Sequence, residues 1–264
     1  MWKRAPIADD HAMHLSRKLL PAALVLAVAA SLVVTSTASA VAPPPTSSRF
    51  PRMIYYRQFK QALKPHTWTV YQGVPGCCDQ SYWARSHVVS EGGMLRIQTY
   101  RDPAYGDRWV SGGVSMARLV NQTYGKWVVR FRMPRGAGVG MDVALRPSGG
   151  GTVVDWIEES SDKGAARAIE TATLHYGSTR VHAQVRADFT KWHTMILAWT
   201  PGHITVRVGH HLWASYARHV PSSPMHMVMQ TNVGTNGFTG TLPNSTTPSR
   251  VKLYVDYVAV YKYR

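Results

Sequence analysis

The feature that most constrains this chain is the period of its apolar residues, which from Met53 to Arg264 recur at every second position rather than every third or fourth. A period of two sends alternate side chains to opposite faces of an extended strand, so one face can enter a core while the other meets water. In 126–133, Trp127, Val129, Phe131 and Met133 alternate with Lys126, Arg130 and Arg132. Ile204, Val206 and Val208 alternate with Thr205 and Arg207, and Gly209-His210 is placed to turn the chain into Leu212 to Tyr216, which predicts a hairpin. Leu253, Val255, Tyr257 and Ala259 predict a last strand, with Tyr254, Asp256 and Val258 on its other face. No long amphipathic helix and no solenoid repeat interrupts the pattern. Roughly 210 residues of strands and frequent turns predict one all-β sandwich or jelly roll.

The domain is preceded by a different kind of sequence. Lys3, Arg4, Arg17 and Lys18 come before an apolar run from Leu19 to Val34 and the small-residue stretch Ala38-Ser39-Ala40, the pattern of an export signal cleaved after Ala40, with Met13 as an alternative start. The run is short for a spanning helix, so no membrane association is expected after cleavage. Residues 41–52 hold Pro43-Pro44-Pro45 and Thr46-Ser47-Ser48, the composition of an extended tether, which places the folded domain at 53–264. Lys and Arg total 30 against 14 Asp and Glu, a formal charge of +16. Such a chain is drawn to anionic surfaces, and a secreted, wall-associated location follows. Two cysteines, the adjacent Cys77 and Cys78, exclude a disulfide scaffold and leave a vicinal disulfide, free thiols or pairing to another chain open. Zinc spacing is absent, and no recognised nucleic-acid module is present.

Acidic groups inside an apolar strand need a reason, and Thr152-Val153-Val154-Asp155-Trp156-Ile157-Glu158-Glu159 carries them. On a regular strand Val153 and Asp155 share a face, and one extra residue after Asp155 brings Glu158 to it as well. Two neighbouring carboxyls then drive one pKa up, which keeps a general acid protonated beside an ionised partner. The plainer reading is a strand end with Asp155 in a turn and both glutamates in water.

At these residues the chain resembles glycoside hydrolase family 16, the laminarinase and lichenase group of β-glucan hydrolases, whose signature is Glu-x-Asp-x-x-Glu. Val154-Asp155-Trp156-Ile157-Glu158 is similar to its Ile-Asp-x-Met-Glu part. The similarity runs on in order through Ser111-Gly112-Gly113-Val114-Ser115, Tyr124 to Gly136, Thr173-Leu174-His175-Tyr176-Gly177, Trp192 to Pro201, Pro224 to Met227 and Tyr254 to Tyr261. It implies a concanavalin A-like jelly roll with a concave carbohydrate cleft and a polysaccharide partner, with no cofactor required. It also implies that Glu158 is the acid/base, that Asp155 assists the nucleophile, and that Asp256 is the candidate ligand of a structural calcium.

The position of the signature's first glutamate, the nucleophile, is Val153 here. A retaining mechanism needs one carboxylate to attack and another to protonate, and valine does neither. Three readings follow. The chain is a cleft-retaining binding protein without turnover; or Asp142 on the preceding strand substitutes, with inversion if it lies more than about 6.5 Å from Glu158; or Asp155 itself attacks. Arg146, in Leu145-Arg146-Pro147, replaces the tryptophan common in related sequences. His175 is a candidate for orienting sugar or carboxylate, and Trp109 and Trp156 are candidate stacking platforms among the tryptophans. Arg118, Arg130, Arg132, Arg135, Arg146 and Arg167 fall near the expected cleft strands in sequence, which adds acidic or sulfated polysaccharide to neutral β-glucan as ligand classes. A monomer is expected.

Overall fold

The structure, a computed structural model, describes residues 41–64, 66–76, 80–159 and 162–264. The export signal and the Cys77-Cys78 pair lie outside them. In chain order the strands are β1 (Arg52–Gln58), β2 (Thr69–Val70), β3 (Val88–Glu91), β4 (Met94–Asp102), β5 (Arg108–Val110) and β6 (Gly113–Ser115). They continue as β7 (Gly125–Arg132), β8 (Val139–Pro147), β9 (Val153–Glu159), β10 (Ile169–Tyr176) and β11 (Thr179–Arg186). The last five are β12 (His193–Thr200), β13 (His203–Val208), β14 (His211–Tyr216), β15 (Met225–Val233) and β16 (Arg250–Lys262). Among the described residues helix is confined to two short 3-10 turns, Arg85–His87 and Pro103–Tyr105, and no helix is long and apolar enough to cross a membrane.

Two antiparallel sheets face each other. One has seven strands in the order β11-β10-β9-β8-β15-β6-β2; the other has nine, along β14-β13-β12-β7-β16-β4-β3, with β1 added to β16 and β5 to β4. This is the jelly-roll sandwich that the alternation predicts. Trp127, Val129 and Phe131 of β7 enter the core between the sheets with Leu95, Ile97, Met195 and Leu197, against Met141, Val143, Leu145, Trp156 and Ile157 from the other sheet. Burial of these side chains drives closure.

The last strand departs from strict alternation. Asp256 is an extra residue opposite β7, between the pairs Val255 with Phe131 and Tyr257 with Arg130. Beyond it the phase reverses. Val258 and Val260 enter the core, while Tyr257, Ala259 and Tyr261 join Phe50 and Val128 in a second apolar cluster. A bulge adds one residue to one strand only, and a period of two cannot survive that addition.

The segment 41–51 has no regular structure but is not detached from the domain. The hydroxyl of Tyr261 donates to the carbonyl of Pro44, and Lys126 Nζ donates to that of Pro45 at 2.8 Å. Phe50 is buried in the second cluster, and the backbone N–H of Arg264 donates to the Arg49 carbonyl at 3.2 Å. The compact unit accordingly runs from Ala42 to Arg264.

Candidate functional site

The site is built on the outer face of the seven-stranded sheet, and its geometry begins with a bulge in β9. Opposite β8, Ala144 pairs with Asp155 and Val143 with Ile157; opposite β10, Thr173 pairs with Asp155 and Thr171 with Glu158. One residue of β9 is therefore surplus within 156–157. Trp156 and Ile157 both turn into the core, and Asp155 and Glu158 emerge on the same outer face. The bulge expected from the sequence is present.

Register then lays the polar side chains out in rows across the sheet. One row runs Gln230, Asp142, Glu158, Thr171, Gln184; the next passes through Asp155, Thr173 and His182; the third runs His226, Arg146, Val153, His175, Arg180. Above the middle of this grid lies a groove of about 670 Å³, floored by Arg146, Val153, Asp155, Glu158 and His175, with Arg180 at its β11 side.

Asp155, only 4% exposed, is held from two sides: its Oδ2 is 2.7 Å from His175 Nε2 and its Oδ1 is 3.6 Å from Arg146 Nη2. The first contact is close but poorly aligned for a hydrogen bond. Glu158 Oε2 accepts a 3.0 Å hydrogen bond from Thr173 Oγ1. Burial, and then the neighbouring Asp155 carboxylate, push Glu158 above the usual glutamate range, while Thr173, His175 and Arg180 pull the other way. Asp155, Glu158 and His175 each bring a ligand atom within 4.8 Å of the others, making them the His/acid group that can share a cation among the described residues.

Asp142 does not reach the groove. It is fully buried, and its Oδ2 accepts from Gln230 Nε2 at 3.0 Å and from Arg146 Nη2 at 3.2 Å. Burial first, then the charge of Asp155, drive its pKa well above the carboxylate range against the pull of Arg146. A fully buried carboxyl beneath the groove reaches neither an anomeric carbon nor a water there, so Asp142 is corrected from substitute nucleophile and ligand-binding residue to a support for Arg146. Tyr71 helps to cover it. Gly113 makes this possible, because a Cβ there would lie 2.3 Å from the Tyr71 ring, and burial pushes the Tyr71 phenol up to about 12.

Two other expectations are also corrected. Trp156 is fully buried in the core, since the bulge that brings Glu158 outward turns Trp156 inward. Trp109 stands on β5 in the other sheet, half-buried against the core and outside the groove lining. Asp256, the calcium candidate, has its carboxylate 2.6 Å from Arg130 Nη1. Of the arginines grouped by sequence position, Arg146 alone lines the groove. Arg130 and Arg132 are on β7 of the other sheet, stacked on Trp192, and Arg167 is buried, donating to the Val139 carbonyl.

The groove residues that sequence reasoning passed over are Thr173, Arg180 and His182, and beside it the aromatic pair Tyr71 and Trp83, with ring centroids 4.7 Å apart. A signal for two of them was available. Arg180, His182 and Gln184 alternate with Val181, Ala183 and Val185, immediately after His175.

Fold and groove together define the class: the chain has the jelly-roll architecture of the β-glucan hydrolases, with the groove on one sheet face. The laminarinase catalytic domain of Thermotoga petrophila superimposes with a TM-score of 0.71 at 19% identity, covering 81% of this chain and 98% of that one. The Rhodothermus marinus laminarinase gives 0.71 at 22% identity, covering 80% and 97%. In sequence, a β-glucanase of Rhodothermus marinus is 24% identical over 232 residues, which is 75% of this chain and 80% of the relative. No protein-family model matches the chain.

Proposed function

We propose that this chain is an exported polysaccharide-binding protein whose groove takes a β-glucan or a related polymer and does not turn it over. The observation that carries the reading is Val153. It lies in the groove floor two residues before Asp155, at the place where the resembled signature has its nucleophile, flanked in register by Arg146 and His175. Every other part of a retaining site has a counterpart. Glu158, whose pKa burial and Asp155 raise, is placed to give a proton to a leaving oxygen. Asp155, gripped by His175 and Arg146, orients that pair, and among the described residues no further carboxylate lines the groove to attack. A protonated oxygen without a nucleophile leaves the glycosidic bond intact.

In this reading residues 1–40 are the export signal, cleaved after Ala40, and the basic mature chain is retained at an anionic wall. Residues 53–264 carry the groove, with 41–52 leading into them. β-1,3-Glucan and mixed-linkage glucan are the first ligands to assay, because the similar proteins named above are laminarinases and a β-glucanase.

The test is binding and reducing-sugar release on laminarin and lichenan by the wild type, Val153→Glu and Glu158→Gln/Val153→Glu. Wild type should bind without releasing sugar, and Val153→Glu should gain release with retention of configuration. Adding Glu158→Gln should then lower that gain by about 10²–10⁴-fold. Hydrolysis by the wild type would sink the reading.

A further inference from the structure

The row of the sheet that holds Val153 is unlike the two beside it. In register it reads His226, Arg146, Val153, His175, Arg180, so the position of the missing carboxylate lies in a line of basic side chains. Asp142 and Asp155 answer Arg146 at 3.2 and 3.6 Å, Asp155 also faces His175 at 2.7 Å, and Glu158 lies in the field of His175 and Arg180. Arg180 is exposed at the groove edge and makes no hydrogen bond or ion pair with any described residue. His182 of β11 is also exposed there. An arginine with free donors beside an apolar floor position is a site for a planar or tetrahedral oxyanion.

We infer that the groove has an anion subsite over Val153, formed by Arg180 with Arg146 and His175, which takes a sugar ring bearing a carboxylate or sulfate group. The inference rests on the polysaccharide reading above and narrows its ligand class to acidic polymers. The oxyanion of the ligand would take the electrostatic place of the glutamate that Val153 replaces, its oxygens accepting from Arg180 while Val153 packs against the ring. Asp142 Oδ2 holds the Arg146 guanidinium from below at 3.2 Å and is itself held by Gln230 Nε2 at 3.0 Å. The basic residues of the other sheet, Arg130 and Arg132, take no part, being stacked on Trp192.

The experiment is calorimetric titration of the mature protein with three β-1,3-linked gluco-oligosaccharides of equal length: neutral, oxidised to the uronate at C6, and 6-O-sulfated. Wild type, Arg180→Gln and, as a control for overall charge, Arg132→Gln are compared. The expected result is that one or both acidic ligands bind about tenfold tighter than the neutral one. Arg180→Gln should remove that preference, so that the acidic ligands bind no tighter than the neutral one, and Arg132→Gln should keep it. The uronate and sulfate arms show which oxyanion the subsite takes. Neutral binding without acidic preference overturns the inference alone. A preference that survives Arg180→Gln and falls in Arg132→Gln overturns it in favour of diffuse surface charge. Absence of binding to all three overturns both the inference and the polysaccharide reading.

Discussion

At the scale of single residues, the groove is a problem of crowded acids. Asp142, Asp155 and Glu158 crowd together, and burial with the charge of Asp155 raises the pKa of both Asp142 and Glu158. An acid whose pKa is higher folded than unfolded binds more protons in the native state, so it lowers stability progressively as pH rises from the unfolded value, ~4, toward the folded one. Asp142→Asn removes that slope. Its melting temperature should therefore fall less than the wild type's between mildly acidic and neutral pH, measured by differential scanning calorimetry across that range; an unchanged slope would show Asp142 ionised. The raised pKa of Glu158 likewise places the upper limb of a pH–rate profile. Any turnover gained by Val153→Glu should decline as pH rises through a value above the ordinary glutamate pKa, as a titration of initial rates will show. The rise at Glu158 was legible in part, because the Asp-x-x-Glu spacing predicts two neighbouring carboxyls; the rise at Asp142 was not, because it depends on burial and on partners brought together by register. Val153 itself was legible, since a signature with one position replaced announces the replaced role.

At the scale of elements, two bulges decide which residues work. The bulge in β9 was legible because Asp-x-x-Glu is the spacing a shared face demands when one residue is surplus. The bulge in β16 was not, because Asp256 reads as an ordinary outward residue until the apolar phase behind it is followed through Val258 and Val260. Arg180 was missed for a related reason: alternation on β11 is visible, but which face of it borders His175 is a fact of pairing. Trp156→Ala tests the structural part of this account. With the side chain wholly in the core, the substitution should cost roughly 3–5 kcal/mol in urea unfolding, whereas a surface stacking platform would lose ligand affinity with little loss of stability. In β16, the pairing of Asp256 with Arg130 predicts that millimolar calcium and chelator leave the melting temperature unchanged, as thermal scans with each will check. A calcium-dependent rise would mean that the cation displaces the arginine.

At the scale of the whole molecule, the alternation was enough to give two antiparallel sheets, while strand order came from nothing local. The nine-stranded sheet is organised around β16, which pairs with β7 along one edge and with β4 and then β1 along the other. A chain ending before Arg250 should therefore show no cooperative melting transition by circular dichroism, since β4, β7 and β1 would be left as unpaired edges over an open core. This arrangement bears on the timing of folding. β16 follows every other described strand, so as the polypeptide is made from its amino end, the seam joining the earliest and middle strands stays open until β16 arrives. On the export reading proposed above, a chain that cannot close early is held in the extended state that threading through a membrane requires.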